Sequence, residues 1–67
     1  MKEATKLQKA RQDKGLTQKQ LAEAADLSLR TLQHYEQRSK DINMAAAITV
    51  HRLAVALGIK VEDILEQ

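Results

Sequence analysis

Residues 17–36 read TQKQLAEAADLSLRTLQHYE, and the reading of this stretch decides the fold. Thr17 with Gln20 three residues on is a capping box, in which each side chain serves a backbone N–H of the other residue where a helix begins. The helix started there turns Leu21, Ala22 and Ala25 to one side. It is expected to end at Ala25 and Asp26, because aspartate tolerates turn conformations. Ser28 supplies the next N-cap, and Leu29, Leu32 and Tyr35 or Glu36 set the register of a second short helix. The stretch is thus two short capped helices joined by a tight turn at Ala25-Asp26-Leu27.

The same rules extend outward on both sides. Upstream, Ala4, Leu7 and Ala10 lie three apart and mark an amphipathic helix that runs to about Lys14. Gly15 is suited to the left-handed position that closes it. Downstream, the polar run from Gln37 to Asn43 reads as a loop with Ile42 pinned into the core. Asp41 or Asn43 is placed to cap a further helix, whose stripe of Ala47, Val50, Leu53, Ala54 and Leu57 stops at Gly58. A last short helix holds Val61, Ile64 and Leu65. With ten alanines, many Gln, Glu, Lys and Leu, and no proline, helix formers dominate. The expectation is a compact, all-α, five-helix domain over residues 1–67, with no repeat or linker.

Composition narrows the function. A chain of 67 residues buries only about 60% of its unfolded surface, so its core is thin and association with a second copy would help it. The absence of cysteine removes disulfide scaffolds and thiolate zinc sites. His34 and His51 are seventeen apart without a helical partner, so no metal is expected. No cofactor is expected either, for there is no glycine-rich phosphate loop. Ser28 and Ser39 have no histidine base at a recognisable spacing, and Ser28 is better explained as a cap. No catalytic residue is assigned and an enzyme is not expected. The apolar runs are far short of the roughly 20 residues of a membrane span. Lys2, Glu3, Lys6 and Lys9 stand where a signal peptide would be apolar, so a cytoplasmic protein without membrane contact is expected. Charge is uneven along the chain: residues 1–40 hold nine basic and five acidic side chains, residues 41–67 two and four. A basic half joined to an acidic end suits a molecule with one face turned to a polyanion.

The pair of capped helices has the size of a helix-turn-helix, and here the sequence resembles the Cro/C1-type (XRE) helix-turn-helix domains of phage repressors and small bacterial regulators. The residues that carry the resemblance are Leu7, Ala10, Arg11, Gly15-Leu16-Thr17-Gln18, Leu21-Ala22, Leu27-Ser28, Leu32, Tyr35-Glu36, Ile42, Leu53-Ala54, Ala56-Leu57-Gly58-Ile59 and Glu62-Asp63-Ile64-Leu65. They run through nearly the whole chain. Two positions depart from the pattern, with Asp26 in the turn and Arg38 after the third helix standing where glycine is usual.

The resemblance implies sequence-specific binding to double-stranded DNA by a transcriptional regulator, most naturally a repressor, whose third helix enters the major groove. Ser28, Leu29, Arg30, Gln33 and His34 then face the bases. Arginine offers a bidentate fork to guanine, glutamine the same to adenine, and leucine packs on a thymine methyl. Thr17, Gln18, Thr31, Arg38, Lys40 and Asn43 are the candidate phosphate contacts, with Gln18 matching the family's usual phosphate clamp. Lys2, Lys6 and Lys9 read better as a solvated face than as phosphate contacts. Arg11 and Glu36 resemble a partly buried ion pair that ties the first helix to the third. Val55, Ile59, Val61 and Leu65 are candidates for a two-fold interface, which would set two reading helices about 34 to 36 Å apart on a palindromic operator. A different class of function stays open, in which the domain is an antitoxin or adaptor acting through protein contacts, such as with a toxin.

Overall fold

A computed structural model of the chain describes residues 4–37 and 41–66. Among these residues it holds four α-helices, α1 (Lys6–Lys14), α2 (Gln18–Ala24), α3 (Leu29–Glu36) and α4 (Ala47–Leu57), with short 3₁₀ turns at Ile42–Met44 and Val61–Asp63. The architecture is all-α, as the sequence implies.

Each helix boundary has a local cause. The Thr5 hydroxyl accepts the Gln8 N–H at the start of α1. Gly15 ends that helix at φ 77°, and the Leu16 N–H returns to the Arg11 carbonyl at 3.1 Å. Glycine enters this left-handed region without steric cost. The capping box forms as read: Thr17 Oγ1 accepts the Gln20 N–H at 3.1 Å, and Gln20 Oε1 accepts the Thr17 N–H at 2.9 Å. Asp26 takes the usual glycine's place at φ 57°, and the Leu27 N–H closes the turn on Ala22 O at 2.8 Å. The Ser28 hydroxyl accepts the Thr31 N–H at 3.1 Å and starts α3.

Leu7, Leu21, Leu32, Leu53 and Ile64 are fully buried, and α2 packs between α3 and α4. Ile42 is buried as expected. Ile64 brings the end of the chain into the same core, although the expected fifth helix is a single 3₁₀ turn. The stretch is too short to propagate an α-helix, and Asp63 Oδ2 accepts the Lys60 N–H at 3.2 Å across the turn.

Helix α4 begins later than expected. Asp41 caps the 3₁₀ turn, accepting the Asn43 N–H at 2.9 Å. Ala45 and Ala46 are extended, and α4 starts at Ala47 with no side-chain cap. Ala47 is exposed, so the buried stripe is Val50, Leu53, Ala54 and Leu57. The end of the chain is tied down by Glu66. Its carboxylate accepts the Lys6 N–H at 3.0 Å, a favourable place for an anion beside the first turn of α1. Among the described residues no helix is long and apolar enough to cross a membrane.

Candidate nucleic-acid interface

Helix α3 is held from behind by a buried polar cluster. The Glu36 carboxylate receives Arg11 Nε at 2.8 Å, Arg11 Nη2 at 3.2 Å and Gln18 Nε2 at 3.1 Å. The Arg11–Glu36 pair expected from the sequence is therefore present, with side-chain exposures of 12% and 2%. Arg11 Nη1 also donates to Leu16 O at 2.8 Å, closing the loop between α1 and α2. Thr5 joins from the other side, its hydroxyl donating to Glu36 O at 3.4 Å. With the carboxylate bound to three donors, the charge is compensated where water cannot reach it. No buried side-chain polar atom among the described residues lacks a partner.

With Leu32 and Glu36 turned inward, the opposite side of α3 carries Arg30, Gln33 and His34, which share a face at helical spacing. Arg30 is exposed, and Gln33 and His34 are half-buried. Leu29, at the first turn, is 41% exposed, so it does not set the inward register as the apolar spacing had suggested. Ser28 is also exposed, and its hydroxyl donates to Thr31 Oγ1 at 2.8 Å. Thr31 accepts that bond and keeps its own hydroxyl proton free to donate.

Gln18 sits where the two short helices meet. Its Nε2 donates to Glu36, while its Oε1 accepts Gln33 Nε2 at 3.3 Å. Each of these amides retains a second N–H. Gln18 and Gln33, expected to serve phosphate and base separately, are thus held in one geometry by the Arg11–Glu36 pair. Thr17 is exposed, with its hydroxyl and N–H used in the capping box.

Asn43 does not join this face. Its Nδ2 donates to Glu66 O and its Oδ1 accepts the Glu66 N–H at 2.8 Å, so its amide fastens the end of the chain rather than standing ready for a phosphate. Arg38 and Lys40, also expected at phosphates, lie outside the described residues, as does Lys2. Of the four residues expected at a two-fold interface, Ile59, Val61 and Leu65 are half-buried against the protein's own core. Only Val55 of these, at 65% exposed, stands open; Ile48 on the same helix is 55% exposed and Met44, in the preceding 3₁₀ turn, 82%.

Sequence reading missed Thr5 and the Gln18–Gln33 contact. Thr5 and Gln8 do repeat the spacing of Thr17 and Gln20, which was a signal for the cap. A bond between side chains fifteen residues apart leaves no such local trace.

A helix-turn-helix family model matches residues 7–64, which takes in the four helices except Lys6 at the start of α1, together with the buried pair. The chain belongs to the Cro/C1-type helix-turn-helix family. It is a DNA-binding domain of the kind used in transcription regulation. Comparison with curated proteins and with solved structures gave no match.

Proposed function

We propose that this Cro/C1-type domain is a sequence-specific regulator, acting as a repressor, that lays α3 in the major groove of double-stranded DNA. The observation that carries this reading is the outward set of Leu29, Arg30, Gln33 and His34 on a helix whose rear is clamped by Arg11 and Glu36. A helix is about 10 to 12 Å across with its side chains and the major groove about 12 Å wide, so the first turns of α3 meet base edges directly. Arg30 reads guanine and Gln33 adenine, Leu29 packs on a thymine methyl, and Ser28 and His34 border the same bases. Gln18 and Thr31, each with a donor to spare, hold the backbone, with Thr17, Arg38 and Lys40 at the margin.

The exposed apolar residues Ile48 and Val55, two turns apart on α4, support association with a second copy. Val55 is one of the residues expected at the interface from the sequence, and Ile48 extends that surface along α4. It leads to a homodimer on a palindromic operator, within the cytoplasm and without enzymatic activity. The second class of function, an antitoxin or adaptor, has less support, because the reading face is intact.

Selection of binding sites from a random duplex pool tests the assignment of α3. Arg30→Ala should relax preference at one base position at a cost of about 1 to 3 kcal/mol, whereas Gln18→Ala should weaken every sequence alike. Unchanged affinity and preference in Arg30→Ala would refute the placement of α3.

A further inference from the structure

On the side of α1 turned from α3 lies an open groove of about 570 Å³. Its floor is apolar, formed by Ala10, Leu57 and Ile59, and its rim carries Lys6, Lys9 and Lys14. At 3.6 residues per turn, Lys6, Lys9, Ala10 and Asp13 form one stripe of α1, and Arg11, which grips α3, projects about 150° round the helix from its centre. The groove therefore belongs to a different face from the one that meets DNA.

Charge at the rim is unbalanced. None of the three ammonium groups has a carboxylate partner among the described residues. Two carboxylates also line the groove, and that of Asp63 accepts its own turn's backbone N–H from Lys60. Three ammonium groups thus face two carboxylates, an excess of one positive charge. Lys14 Nζ lies 3.6 Å from where a Cβ on Gly58 would sit. That is the C-terminal end of α4, where helix carbonyls favour a cation.

An apolar floor with an excess of ammonium groups complements one kind of occupant, an amphipathic helix with carboxylates flanking its apolar stripe. Lys6 and Lys9, three residues apart, match carboxylates at the same helical spacing on a partner. The groove is open to solvent, so a small molecule would not bury the 70 to 90% of its surface usual in a ligand pocket. We propose that this groove docks an acidic amphipathic helix of a partner protein, and that it does so while α3 is on DNA. The docking goes beyond the DNA-binding reading and does not depend on it, whereas its persistence on DNA rests on that reading.

The test uses the full chain labelled with ¹⁵N and a designed helical peptide that carries a leucine stripe flanked by glutamates. A scrambled peptide and one with lysine in place of glutamate serve as comparisons. The glutamate peptide alone should give saturable shifts at Ala10, Lys14, Leu57 and Ile59, with or without duplex DNA present. Lys6→Gln/Lys9→Gln should weaken it about fivefold or more, as expected for two lost ion pairs. The same variant should keep its thermal melt and change duplex affinity less than about threefold near physiological salt, where screening acts within about 8 Å. Absence of saturable binding, shifts centred on α3, or equal binding of the lysine peptide would overturn the proposal. A large loss of duplex affinity in the double variant would also overturn it, reassigning the lysines to DNA phosphates.

Discussion

Arg11→Met removes the guanidinium from the centre of the fold and leaves the Glu36 carboxylate, at 2% side-chain exposure, with Gln18 as its remaining side-chain donor. Breaking one partner of a buried pair costs about 3 to 5 kcal/mol. Loss of the bond to Leu16 O adds roughly 0.5 to 1.5 kcal/mol. A chain of 67 residues is stable by only about 3 to 10 kcal/mol in total. Arg11→Met should therefore lose about 3.5 to 6.5 kcal/mol, a third or more of the total. The paired replacement Arg11→Met/Glu36→Leu removes both charges and keeps apolar volume, a change that is often neutral or stabilising. Urea unfolding followed by circular dichroism gives the comparison, with the slope checked so that midpoints report stability. The double variant should recover at least about 2 kcal/mol relative to Arg11→Met. A loss under about 1 kcal/mol in Arg11→Met, or a double variant no more stable than the single, would refute the view that a compensated buried charge holds α1 to α3.

Other substitutions probe separate parts of the account. Gly58→Ala should lose about 1 to 2 kcal/mol in thermal melts, because φ is 69° and an added Cβ meets only Lys14 Nζ at ordinary contact distance, so the cost is conformational. Ser28→Ala should lose about 0.5 to 2 kcal/mol by removing the α3 cap, again read from melting. Leu53→Ala should cost about 2 to 5 kcal/mol as a cavity opens in the core, measured in urea. Val55→Glu, on an exposed side chain, should leave unfolding nearly unchanged but shift sedimentation to the monomer, and an unchanged sedimentation profile would remove α4 from the interface.

The helix ends were legible because a cap is a contact between near neighbours. Thr17 and Gln20, Ser28, Gly15 and Gly58 each act within a few residues, and all four sites close as read. Asp26 entered the left-handed turn for the reason that allowed it there in the sequence. The start of α4 was obscured because Ala45, Ala46 and Ala47 offer no polar side chain, and the extended backbone at Ala45 and Ala46 has no signature in residue type. Nor could spacing show that Asn43 would be bound to Glu66 twenty-three residues away. The outward face of α3 followed from its apolar period, whereas the tether between Gln18 and Gln33 is tertiary. Half-burial of Ile59, Val61 and Leu65 was hidden for a similar reason, since an apolar residue serves a core or an interface equally well.

The central claim is that α3 reads base sequence. Fluorescence anisotropy tests it most directly, with a labelled duplex selected from a random pool and a scrambled duplex of equal length, each titrated at about 50 and 200 mM salt. Phosphate contacts alone weaken steeply and equally for both duplexes as salt rises. The account predicts a preference for the selected duplex that persists at the higher salt and is reduced by Arg30→Ala. Equal binding to both duplexes that disappears at the higher salt would contradict it.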